Sequence, residues 1–177
     1  STTPGYRLAA GSERPGAAEL GRDLGSLAGI EELGLTLGDK AEAVFAASDA
    51  VLDFTSPAAT LAHAALAAAT GKAHVIGTTG IDAAGEAKLA EAARHAPIVY
   101  AGNMSLGVNL LAELLTQVAR SLDPAWDIEI VEMHHRHKVD APSGTALLLG
   151  RAAASGRNVK LEEVADRGRD GITGPRK

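Results

Sequence analysis

Cysteine is missing from the 177 residues, which excludes disulfides and thiolate metal centres and is compatible with a reducing compartment. Aromatic residues are scarce, at 3%. The core must therefore come from Ala, Leu, Val and Ile, which suits close packing of helices on a sheet. No apolar run approaches the roughly 20 residues that cross a bilayer. Basic residues are not in excess: 17 Lys and Arg stand against 22 Asp and Glu, for a net charge of -5, which argues against a general nucleic-acid binder. Ser1 to Gly11 has no basic end followed by an apolar stretch, so it does not read as a signal peptide. The expectation is a cytoplasmic protein with neither nucleic acid nor membrane as partner.

What is present is a regular alternation. Tyr6 to Ala10 reads as a short strand, and residues 16 to 40 as loop with short irregular pieces. Ala50 to Phe54 predicts a buried strand. Ser56 then offers an N-cap and Pro57 a first helical residue, for a helix that Gly71 closes. His74 to Ile76 is the next strand, and Asp82 caps a helix running to about His95. Pro97 to Tyr100 is a third strand. Ser105 opens a long helix to about Leu122, with Leu106, Leu110, Leu114 and Val118 at helical spacing.

Strands alternating with helices of this length imply βαβ units and an α/β fold with a parallel sheet, Rossmann-like in type. Ligands bind at the carboxyl edge of such sheets. Each strand here ends in small or polar residues: Asp53 to Ser56, Gly77-Thr78-Thr79-Gly80 and Ala101-Gly102-Asn103-Met104. After Pro124 the pattern changes. Asp127 to Met133 partly alternates, like a strand with one face in water, as expected of an α+β domain with an open sheet. Asp140 to Ser143 predicts a turn, Gly144 to about Ala154 a helix, and residues 167 to 177 a loop.

The densest chemistry lies in Glu132-Met133-His134-His135-Arg136-His137-Lys138-Val139-Asp140-Ala141-Pro142-Ser143-Gly144-Thr145-Ala146. Three His, one Arg and one Lys within five residues suit an anionic ligand and proton transfer. Ser143-Gly144-Thr145 opens a helix, whose free N–H groups and dipole favour a carboxylate. A solvated basic face and a metal site compete with this reading, although the segment lacks a familiar metal-ligand spacing.

This segment resembles the signature of the dihydrodipicolinate reductase (4-hydroxy-tetrahydrodipicolinate reductase) family. Val51 to Pro57, Val75 to Gly80 and Ala101 to Ser105 are similar to that family's nucleotide domain and to the segment that leaves it. The resemblance implies an NADH- or NADPH-dependent oxidoreductase of lysine (diaminopimelate) biosynthesis acting on a cyclic dicarboxylate. It implies His134 as the proton donor and Lys138 as its catalytic partner. His135, Ser143, Gly144 and Thr145 would bind substrate. Glu13, Arg14, Gly77, Thr78, Thr79, Ala101, Gly102, Asn103 and Met104 would bind cofactor, and no resident metal is implied. It divides the chain into a nucleotide domain, 1–104, and a substrate domain, 105–177, within a homotetramer when complete. His63, His74 and His95 receive no role, and His63 reads as a surface or packing residue. The family's glycine-rich phosphate loop does not precede Tyr6, so about 30 residues of a first βαβ unit and the C-terminal part of the substrate domain are expected to lie outside this sequence. A non-catalytic dicarboxylate binder and a related aspartate dehydrogenase are the alternatives; the latter lacks the His-His-Arg-His-Lys segment.

Overall fold

The computed structural model describes residues 3–138 and 140–174, which form two compact units dividing between Tyr100 and Ala101. The resemblance had placed its boundary after Met104, four residues further on.

The first unit holds β1 (Ala50–Asp53), β2 (Ala73–Ile76) and β3 (Ile98–Tyr100), hydrogen-bonded in that order. Both pairings are parallel, with Asp53 beside Ile76 and Ile76 beside Tyr100. Two helices connect them, α3 (Pro57–Thr70) and α4 (Ala83–Ala92). The Ser56 hydroxyl accepts from the Ala59 N–H, and Gly71 ends α3 in the left-handed region, at φ 67°, where a Cβ would be strained. Asp82 caps α4 by accepting from the Gly85 N–H. The core lies between the helices and one face of the sheet, with Ala64, Ile76, Ile81 and Leu89 in one cluster and Phe45, Val51, Ala67 and Ala96 in another.

Several expectations are corrected. Residues 50 to 54 are buried on one face only, since Leu52 and Phe54 are exposed. Tyr6 to Ala10 is not a strand, because no described segment lies beside it to complete a hydrogen-bond ladder. The nearest pairing is an isolated parallel bridge between Ser12 and Gly38. The segment before β1 contains α1 (Leu24–Leu27) and α2 (Ala41–Ala47), the latter packed on α3 and β1. Asp23 organises this region: its carboxylate accepts from the N–H groups of Leu33, Ser26, Gly25 and Leu35. The Leu33 bond leads the others in holding its pKa below the ordinary value, against desolvation.

The second unit pairs α5 (Leu106–Ser121) with α6 (Gly144–Gly156), and α7 (Leu161–Val164) packs on α6. A Cβ at Gly156 would stand 2.4 Å from the Thr116 carbonyl, so glycine is what permits this helix crossing. The apolar stripe of Leu106, Leu110, Leu114 and Val118 is exposed, while Ala119 is buried. Asp127 to Met133 belongs to no sheet, again for want of a neighbouring strand among the described residues. The predicted turn at residues 140–143 instead begins with a two-residue strand, β4 (Asp140–Ala141). It pairs antiparallel with β5 (Gly171–Ile172), within the tail read as loop. Residues 175–177 of that tail lie outside the described residues. Among the described residues no helix is long and apolar enough to cross a membrane.

Candidate functional site

The carboxyl end of β2 is built around a buried carboxylate at the end of β1. Asp53 Oδ2 accepts from His63 Nδ1 at 2.9 Å and from His74 Nε2 at 3.0 Å. Asp53 Oδ1 accepts from the Thr55 hydroxyl at 2.6 Å, the Thr55 N–H at 3.1 Å and the Thr78 hydroxyl at 3.3 Å. Thr60, on α3, donates its hydroxyl proton to the Thr78 oxygen at 2.8 Å, and the Thr55 N–H also reaches that oxygen at 3.0 Å. Asp53, Thr60, His74 and Thr78 are all buried, and the Phe45 ring packs against both imidazoles. Burial opposes ionisation of Asp53. The bonds from His63, His74 and Thr55, with the charge of His63, outweigh it and hold the carboxyl far below the usual range.

Sequence reasoning gave His63 and His74 no role, and the structure corrects this by bringing both onto Asp53. A signal was available. Period-two alternation puts Asp53 and His74 on the inward faces of adjacent strands. His63 follows Thr60 by three residues along the face of α3 that buries Thr60, Ala64 and Ala67. The three ligand atoms are also close enough to hold a metal ion, all lying within 4.8 Å of one another. His95 is elsewhere, beside Glu91 on the surface.

The turn after β2 presents the residues expected to meet a cofactor. Gly77 is half-buried, the Thr78 side chain points inward, and Thr79 and Gly80 are exposed. A Cβ on Gly77 would fall 2.0 Å from the Phe54 ring, so only glycine fits the ring in this position. This open edge of small residues suits a nucleotide approaching the backbone. Glu13 and Arg14 are exposed just beyond the Ser12 bridge; Glu13 turns its carboxylate back onto the Arg14 N–H at 2.8 Å.

In the second unit, Glu132 joins two parts of the His-rich segment. One carboxylate oxygen meets His134 Nδ1 in a close hydrogen bond, and the other accepts from the Ser143 N–H at 3.2 Å. Glu132 stood in the sequence motif without a role; the structure makes it the link between His134 and the start of α6. The Ser143 hydroxyl is committed to capping α6, accepting from the Ala146 N–H at 3.0 Å. Gly144 and Thr145 form the first turn. Asn103 donates to the Thr145 hydroxyl at 3.0 Å and accepts from the Ser105 N–H at 2.8 Å, tying the segment after β3 to α6. Of that segment, Ala101 and Asn103 are half-buried and Gly102 and Met104 exposed. His135, Arg136 and His137 are exposed on a turn closed by the Lys138 N–H donating to the His135 carbonyl at 3.2 Å, and Lys138 is half-buried.

The chain matches two family models. Residues 1–104 match "Dihydrodipicolinate reductase, N-terminus" and residues 107–176 match "Dihydrodipicolinate reductase, C-terminus". A 4-hydroxy-tetrahydrodipicolinate reductase of Parvibaculum lavamentivorans is 62% identical over 99% of this chain and 65% of its own length. One from Dinoroseobacter shibae is 60% identical over 97% of this chain and 64% of its own length. The chain thus spans slightly less than two thirds of these relatives. Among solved structures, dipicolinate-bound dihydrodipicolinate reductase from Paenisporosarcina sp. TG-14 aligns with a TM-score of 0.61 at 26% identity, over 84% of this chain and 57% of that one.

Proposed function

The chain belongs to the dihydrodipicolinate reductase family, and from that premise we propose that the protein it forms reduces 4-hydroxy-tetrahydrodipicolinate to tetrahydrodipicolinate with loss of water, in lysine biosynthesis. The observation that carries this reading is the Glu132 carboxylate, bonded at once to His134 and to the N-cap of α6. It ties a proton-donating imidazole to a helix N-terminus able to hold a carboxylate.

In this reading residues 1–104 form the nucleotide domain and 105–177 the substrate domain. Gly77, Thr78, Thr79 and Ala101 to Met104 line the nicotinamide and ribose of NADH or NADPH, which supplies the hydride. Glu13 and Arg14 meet the adenosine ribose. The Gly144 and Thr145 N–H groups bind one substrate carboxylate, and Asn103 fixes the Thr145 side chain while they do so. Ser143 contributes to this site by capping. His135 and Lys138 add positive charge for the second carboxylate. Glu132 fixes the His134 ring by accepting from Nδ1, which leaves Nε2 to face the substrate and deliver the proton. The protein's contribution is orientation, charge complementarity and that proton. A homotetramer in the cytoplasm completes the proposal.

The direct test is steady-state reduction of 4-hydroxy-tetrahydrodipicolinate by the full-length protein, following NADH and NADPH consumption. No turnover with either nucleotide would refute the reading. Arg14→Ala tests the adenosine end. It is expected to weaken NADPH several-fold more than NADH, because only NADPH carries the 2′-phosphate that a guanidinium grips. An equal loss for both nucleotides would show that Arg14 does not read that phosphate.

A further inference from the structure

We propose that Thr78 acts in the cofactor site as a positioning residue, its hydroxyl locked by Asp53 and Thr60 so that its side chain is withheld from the nucleotide and the Gly77–Thr79 turn is held in the shape that meets it. This rests on the reading of that turn as the nicotinamide edge, and goes beyond it by assigning a role to Asp53, Thr55, Thr60, His63 and His74.

The argument is a count of donors and acceptors. A threonine hydroxyl has one proton and two lone pairs. The Thr78 oxygen accepts from the Thr60 hydroxyl and from the Thr55 N–H, which fills both lone pairs. Its proton is directed at Asp53 Oδ1. The hydroxyl is therefore saturated inside the first unit, and the residue is 3% exposed, so no polar capacity is left for a ligand. Thr79, its neighbour, is exposed. The Gly77 N–H is likewise committed, donating to the Asp53 carbonyl at 2.8 Å. Asp53 thus holds the turn twice, by its main chain at Gly77 and by its side chain at Thr78. Thr60 adds a third tie from α3.

The same count describes the cluster as a hydrogen-bond clamp. Asp53 Oδ2 already accepts from both imidazoles, at the lengths of ordinary hydrogen bonds. Because the carboxylate can only accept, His74 must donate from Nε2. Nδ1 is the buried His74 atom without a partner. Each imidazole thus meets Asp53 through a ring nitrogen at hydrogen-bond distance. The cluster is the anchor of the turn.

The test uses variants of residues that lie outside the reacting groups, in the full-length protein. Thr60→Val keeps the shape of the side chain and deletes its proton donor. It is expected to raise the Kd and KM for NADPH about tenfold, to leave kcat at saturating nucleotide within about twofold, and to leave binding of pyridine-2,6-dicarboxylate unchanged. Thr60→Ser restores the donor and should restore nucleotide affinity. Amide hydrogen exchange across residues 77–79 should quicken in Thr60→Val and return in Thr60→Ser. Should Thr60→Val fail to fold, Thr78→Ser and Thr78→Val carry the same comparison: the serine retains affinity and the valine loses it. A folded Thr60→Val with wild-type NADPH affinity and wild-type exchange overturns the proposal. So does an equal loss in Thr78→Ser and Thr78→Val. So does a stoichiometric zinc ion, found by elemental analysis and lost in His63→Asn. A wild-type protein that binds no nucleotide instead refutes the functional reading, and the exchange measurement still reports on the clamp, so the two failures are distinguishable.

Discussion

Replacing His134 by Gln in the full-length protein is expected to lower kcat by about 100-fold or more, the scale of a lost acid–base group. Lys138→Ala is expected to act on the same scale. Nucleotide affinity should change little, because neither residue belongs to the first unit. The Glu132 link adds a finer expectation. Glu132→Gln keeps a side chain of the same shape but turns a charge-assisted bond to His134 into a neutral one, so it should lose roughly tenfold in kcat, less than His134→Gln. Its effect should vanish when made on top of His134→Gln, since a residue that acts by orienting the imidazole has nothing left to orient. Near-normal turnover in His134→Gln and Lys138→Ala together would remove this segment from the chemistry. Full additivity of Glu132→Gln would show that Glu132 works by another route.

Asp53→Asn is expected to cost about 3 kcal/mol of stability at neutral pH, the scale for removing one partner of a buried charge network. Two imidazole N–H groups and the Thr55 hydroxyl would meet an amide in place of a carboxylate with four lone-pair sites. The acid response should change as well. The folded carboxyl sits far below its ordinary 3.8, so below that pH the unfolded chain binds the proton that the folded chain refuses. The Asp53 contribution is therefore complete above about pH 4 and is lost progressively as the pH falls further. Thermal unfolding between pH 7 and pH 3 should show the wild type losing stability toward acid more steeply than Asp53→Asn, with the two curves converging. Curves that stay parallel would mean that Asp53 is not held ionised by the network. Asp23, whose pKa is also lowered, contributes an acid response that both proteins share.

Local patterns were legible wherever one stretch of chain contains its own instructions. Ser56 and Pro57, Asp82, Ser105 and Ser143 announce helix starts because a cap bonds to an N–H two or three residues ahead. The three parallel strands and the helices between them follow from spacing, and the His134 to Thr145 segment stands out by residue types alone. Pairing between distant segments was not legible. Asp127 to Met133 has a strand-like alternation, yet alternation supplies only one side of a ladder, and no described segment lies beside it. Asp140 to Ala141 reads as a turn because two residues carry no period, and only Gly171 and Ile172, thirty residues on, make them a strand.

The sequence by itself determined the α/β class, the caps, the small residues at the carboxyl edge and the family. Tertiary structure alone decided which polar residues meet. Asp53, His63, His74, Thr60 and Thr78 are spread over β1, α3, β2 and the turn after it. They converge because the parallel register of β1 with β2 and the seat of α3 on the sheet bring one inward face together. It also decided which face of α5 packs. The apolar stripe of Leu106, Leu110, Leu114 and Val118 predicts the buried side, but α6 offers Gly156 to α5 and demands close approach. The smaller side of α5, with Thr116 and Ala119, meets it instead, and Thr116 bonds the Ala152 carbonyl at 3.0 Å. Hydrophobic periodicity states how much surface a helix can bury, whereas the shape of the partner selects which surface that is.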